Sequence, residues 1–150
     1  MTGTNHGMTG AVIALVVKEP FLAIPLSYAS HYACDAIPHY GLVVGGELFD
    51  KKFNYTLLAD FMTALVIMVI LGAKFPSQKW VIWSCMVAAA SPDLMWAYYN
   101  LYIEKIQHKK PHLGIIARFH TWIQWYQKPK GRFVEMTWFL MMGLIIFKQS

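Results

Sequence analysis

Apolar positions gather into five runs along the chain, at 7–17, 21–37, 55–73, 80–102 and 133–147. The first run is too short to cross a ~30 Å hydrocarbon core at ~1.5 Å per residue. The second is borderline in length and stops at Pro38. Together they predict a tight helical hairpin, either two short spans or a re-entrant pair, turning at Lys18-Glu19-Pro20. Residues 38–53 carry Gly41, Gly45 and Gly46 and read as a loop. The third run is the clearest span, with a single acid, Asp60, about one turn inside. The fourth is interrupted by Ser91-Pro92-Asp93. Proline there either kinks the helix or restarts it, with Ser91 as N-cap and Pro92 at the first position.

Residues 104–111 form a polar loop. In 113–127, Ile116, Phe119 and Ile123 share one side, and His120 and Gln124, spaced i, i+4, share another. That pattern predicts an amphipathic helix lying in a membrane interface. A basic turn at 128–132 precedes the last run, which has Glu135 near its start. The expected architecture is all-α: one membrane-embedded domain over residues 1–150, with about five hydrophobic helices plus one interfacial amphipathic helix.

Composition strengthens this expectation. The chain is 57% hydrophobic and 14% charged, against about 25% charged in soluble domains. Its six tryptophans fall largely near run ends, as interfacial belts require. A net charge of +5 could suit nucleic acid. The basic residues, however, lie in the segments that flank the runs, which is how positive-inside topology distributes them. Lys51, Lys52, Lys105, Lys109, Lys110, Arg118, Lys128, Lys130 and Arg132 on one side outnumber Lys18, Lys74, Lys79 and Lys148 on the other. The chain is therefore expected in the cytoplasmic (inner) membrane, multi-pass, with its N-terminus inside, contacting lipid and not nucleic acid. Cys34 and Cys85 both lie in apolar runs and read as buried thiols.

Polar residues inside these runs carry the functional signal, because ionisable groups in lipid are costly. His6, His31, Asp35, Asp60, Asp93, His120 and Glu135 all fall on the side expected to be cytoplasmic. His31 and Asp35 are four residues apart, on one helical face. Imidazole plus carboxylate suits zinc first, with manganese or iron as alternatives. The candidate ligands are His6, His31, Asp35, Asp93 and His120. Glu135 and Asp60 are candidate general bases or partners of the ligands, and His39, Arg118, Gln124 and Arg132 are candidate substrate contacts. Pro38 should end the second helix before His39. The basic residues beside the site would also hold a phosphate.

The stretches Asn5-His6-Gly7-Met8-Thr9-Gly10 and Ser30-His31-Tyr32-Ala33-Cys34-Asp35-Ala36-Ile37-Pro38-His39, with Pro92-Asp93, carry a resemblance. The chain resembles small multi-span membrane-bound metal-dependent hydrolases of the inner-membrane type, through His6 with Gly10, His31 with Asp35, and Pro92 with Asp93. It is distantly similar to zinc-dependent phospholipase C. Here His120 is followed at i+4 by Gln124 in place of Glu, and Asp93 by Leu94 in place of a second Asp. The resemblance implies a multi-span helical fold and a divalent-metal hydrolase.

The expected function is hydrolysis of a lipid phosphate or phospholipid head group at the cytoplasmic membrane face. The ion would lower the pKa of a bound water toward ~7. The alternatives are a small ion, proton or solute transporter using the same His/Asp cluster, or a non-catalytic membrane protein with a structural metal. Purely apolar stretches in the third and last runs argue against a relay across the bilayer.

Overall fold

The computed structural model describes residues 1–40, 51–108 and 112–149. These are helices and turns, with no strand among them beyond one isolated bridge between His39 and Gln127. The helices are α1 (Gly3–Val17), α2 (Pro20–Asp35), α3 (Lys51–Lys74), α4 (Lys79–Ala90), α5 (Leu94–Ala97), α6 (Ile115–Ile123) and α7 (Arg132–Lys148). The glycine-rich 41–50 stretch and Lys109 and Lys110 of the expected basic set lie outside the described residues, as do the side chains of Lys51, Lys52 and Lys105.

The predicted hairpin forms. Lys18 takes a left-handed conformation (φ 62°) and its N–H closes α1 on the Ala14 carbonyl at 3.1 Å. Pro20 then opens α2, where its missing N–H costs nothing. Helix α1 is central and packs against α2, α3, α4 and α7. Every residue from Thr4 to Ala11 is buried. Its approach to α4 is close because Gly10 carries no side chain: a Cβ there would stand 2.3 Å from the Cys85 carbonyl oxygen. Met8, Ala11, Leu15, Ile82, Cys85, Met86, Met142 and Ile146 fill the core around this crossing.

The all-α expectation holds, but the bundle of about five spanning helices does not. Among the described helices only α3 is long and apolar enough to cross a membrane, over the 20 residues Tyr55–Lys74, which hold an 18-residue stretch of mean hydropathy 2.2. Helices α1, α2, α4 and α7 have 15, 16, 12 and 17 residues, short of the ~20 needed for a span. The physical reason is clearest at α1. A helix that is apolar all round is either a span or a core helix, and α1 is apolar because protein surrounds it.

The Ser91-Pro92-Asp93 interruption is neither a simple kink nor a capped restart. It is a 3-10 turn linking α4 to α5, and the Ser91 hydroxyl donates backward to the Ala88 carbonyl at 2.9 Å. A π-helical stretch, Tyr98–Ile106, follows directly, so helical structure runs into what was expected to be a polar loop. Such departures from α geometry reset side-chain direction along one helical rod, and here the turn brings Asp93 toward α2 and α6.

Candidate metal centre

Helix α2 contributes His31 and Asp35 from its last turns, one turn apart on the same face. Helix α1 contributes His6, α6 contributes His120, and the 3-10 turn contributes Asp93. His6, His31, Asp35 and His120 are fully buried, while the Asp93 side chain keeps 37% exposure. Four donors converge. His31 Nε2 lies 3.0 Å from His120 Nε2, 3.2 Å from Asp35 Oδ2 and 3.7 Å from Asp93 Oδ1. His120 Nε2 lies 2.9 Å from Asp35 Oδ2 and 3.6 Å from Asp93 Oδ1. Donors held tetrahedrally at about 2.0–2.1 Å from one ion stand roughly 3.3 Å apart. These spacings bracket that value, so His31, Asp35, Asp93 and His120 can hold a metal ion.

The surroundings orient these donors. His31 Nδ1 donates to the Ala89 carbonyl at 2.8 Å, which fixes the tautomer and leaves the Nε2 lone pair facing Asp35. The Gln124 amide donates to Asp35 Oδ2 at 3.2 Å and stands 3.1 Å from His120 Nε2. The His6 ring stacks on His31 with centroids 3.9 Å apart, and its Nε2 lies 3.1 Å from Asp35 Oδ1. The Met1 amino group contacts the same oxygen.

Burial opposes the charge on Asp35, but hydrogen bonds from His120 and His6 and the charge of the Met1 ammonium outweigh it and hold the carboxyl well below the usual carboxylate range. Burial pushes His6 down to about 3, keeping it neutral. It likewise lowers His39 and raises Asp93. The ionised Asp35 is the form that metal ligation requires.

Asp60 and Glu135, candidate general bases or partners of the ligands, accept donors from the start of α1. Asp60 accepts from the Gly3 and Thr4 amides at 2.8 and 3.0 Å. Glu135 accepts from the Thr2 amide at 3.0 Å, the Asn5 side chain at 3.0 Å and the Tyr40 amide at 3.1 Å. The first amides of a helix have no intrahelical acceptor, and carboxylates from α3 and α7 satisfy three donors at the start of α1. That fixes the helix bearing His6.

His39 lies beyond the end of α2, as Pro38 required, and returns to the cluster with Nε2 4.0 Å from Asp35 Oδ1. Its carbonyl accepts from the Lys128 amide at 3.0 Å. Gly131 makes this close pass possible, since a Cβ there would meet the His39 carbonyl carbon at 2.1 Å. Arg118 and Arg132 are exposed, and Arg132 lies over the Phe133 ring at 5.1 Å. Cys34 and Cys85 are free and buried, as expected. The Ala89 carbonyl was invisible in sequence, because a backbone acceptor leaves no residue-type signal. Tyr32 was also missed, although it directly follows His31; its ring packs edge-on at 5.4 Å from His31 and 5.7 Å from His120.

Beside the cluster lies an open cavity of about 710 Å³ lined by Tyr28, Tyr32, Ser91, Pro92, Met95, Tyr99 and residues 114–117. Tyr32 touches the histidines and Pro92 precedes Asp93, so the cavity adjoins the donor set. No family model, no curated protein and no solved structure matches the chain.

Proposed function

We propose that this protein is a metal-dependent hydrolase acting on a phosphoester carried by an apolar, lipid-like group. The observation that carries the reading is the four-donor cluster, whose ligand atoms all lie within 4.8 Å of one another. Its one partly exposed member, Asp93, directly follows Pro92, which lines a largely apolar cavity. Zinc suits a borderline set of two imidazoles and two carboxylates, and manganese or iron suits it less specifically. A divalent ion supplies Lewis acidity and lowers the pKa of a bound water.

The chain's own residues do the rest. Asp35 and Asp93 neutralise the ion, and Gln124 and the Ala89 carbonyl hold the donors in orientation. Tyr28, Tyr32 and Tyr99 offer an apolar wall with hydroxyl tips for the substrate's chain and its polar neck. Exposed Arg118 and Arg132 supply positive charge for a phosphate approaching from solvent.

Association with the cytoplasmic membrane belongs to the same reading, with lipid as partner. It is supported by the largely exposed apolar surface of α3 and by α6 with the turn that follows it, where Ile115, Trp122 and Trp125 are 87, 65 and 66% exposed beside basic residues.

The test is metal content of detergent-purified protein followed by phosphate release from phosphatidic acid in mixed micelles. Zinc retained by the wild type, with phosphate release lost in a His31→Ala/Asp35→Ala variant, supports the reading. A folded wild type that retains no ion after incubation with zinc, manganese or iron overturns it. An ion retained without turnover of phosphatidic acid or p-nitrophenyl phosphate makes it a structural metal.

A further inference from the structure

Asp35 presents its two carboxylate oxygens to different partners. Oδ2 faces His31, His120 and Gln124. Oδ1 faces His6 Nε2 at 3.1 Å, His39 Nε2 at 4.0 Å and the Met1 amino group. His39 is fully buried. Its Nδ1 donates to the Ile37 carbonyl at 2.8 Å, so Nε2 carries the lone pair. Among the described residues that nitrogen has no hydrogen-bond partner. A buried acceptor left without a donor is destabilising, and here it stands 4.0 Å from a buried carboxylate oxygen. A second tautomer-fixed imidazole, aimed at the far oxygen of a shared carboxylate, is a ligand arrangement rather than a core contact.

We propose that Asp35 bridges two divalent cations, the second held at Oδ1 by His39 Nε2 with His6 Nε2 beside it. The proposal rests on the reading of His31, Asp35, Asp93 and His120 as a metal centre, because Asp35 is common to both. A modest shift of His39 toward Oδ1 brings both donors within about 2.1 Å of one ion. The entering cation displaces the Met1 ammonium from Oδ1, one positive charge giving way to another. Two cations bridged by a carboxylate stand about 3.5–4 Å apart, the spacing of two-metal phosphoesterase centres. Two divalent ions against the charges of Asp35 and Asp93 leave a local excess of two positive charges, which a phosphoryl dianion matches. The proposal therefore narrows the substrate to a phosphomonoester.

The experiment is stoichiometric. Metal-stripped protein is loaded with Co(II), desalted and counted by mass spectrometry, and its electron paramagnetic resonance signal is recorded. The wild type should retain two equivalents with a spin-coupled signal. His39→Ala and His39→Gln should retain one equivalent with an isolated high-spin signal, and Asp35→Ala none. Using both His39 variants guards against one failing to fold. One equivalent in the wild type, unchanged in both His39 variants, overturns the second site and leaves the first standing. Two equivalents in wild type and in both variants overturns the role of His39. None in a folded wild type overturns both.

Discussion

His31 and Ala89 meet across two helices: the His31 Nδ1–H donates to the Ala89 carbonyl at 2.8 Å. This one bond decides which ring nitrogen is free. It turns Nε2 toward Asp35 and places it in the same small volume as His120 Nε2 and Asp93 Oδ1. The bond depends on close packing in this region, and Gly10, at the nearby crossing of α1 on α4, allows α4 to approach.

Gln124 touches both Asp35 and His120 without belonging to the four-donor set. Groups that orient metal ligands typically contribute about 10–100-fold in affinity. Gln124→Ala should weaken zinc binding by about that factor and leave the far-ultraviolet circular dichroism unchanged. A competition titration with a chromogenic chelator measures it. Unchanged affinity would show that Asp35 and His120 hold their positions without the amide.

Asp60 caps α1 from another helix. Losing an N-cap acceptor typically costs about 0.5–2 kcal/mol, so Asp60→Ala should lower unfolding stability by that order. Metal stoichiometry should not change. Denaturant unfolding beside metal counting separates this role from catalysis. A variant of normal stability with turnover abolished would return Asp60 to the chemistry.

Acid should destabilise the metal-free protein. His6 titrates near 3 when folded, against 6.5 as its ordinary value. Between these values the unfolded chain binds one more proton, so stability rises with pH across that window. The slope is about 1.4 kcal/mol per pH unit for this one group. The contribution is complete above pH 6.5 and is lost as pH falls toward 3. Lowered His39 acts in the same direction, and Asp35 extends the loss below its ordinary 3.8. Raised Asp93 has the opposite sign. Denaturant midpoints at pH 7, 5.5 and 4.5 give the slope, which His6→Gln should reduce. A flat profile would remove the neutral buried histidine.

Gly10 and Gly131 both sit where a Cβ would meet backbone, at 2.3 and 2.1 Å. Backbone cannot yield as a side-chain tip can, and overpacking typically costs about 1–3 kcal/mol. Gly10→Ala should lower thermal stability through the α1–α4 crossing. Gly131→Ala should displace the 38–40 segment and so alter metal binding more than overall stability. Paired melting and metal-affinity measurements distinguish the two, and equal effects on both readouts for both variants would contradict this division.

Sequence by itself determined the helices, because apolar periodicity, Pro20, Pro38 and the i, i+4 pair of His31 and Asp35 act locally. It also gave the five polar residues that meet in the cluster, since ionisable groups in apolar runs are costly and so stand out. What it left open is what surrounds each run. Lipid and protein interior favour the same residues, so α1 reads alike as a span and as a core helix. Only packing decided that α1 is enclosed by four helices while α3 keeps its apolar surface exposed. Packing likewise decided which donors Asp60 and Glu135 meet, the amides at the start of α1. A carboxylate's role depends on which donors lie within about 3 Å, and those donors are amides distant in sequence that become neighbours only in the folded chain.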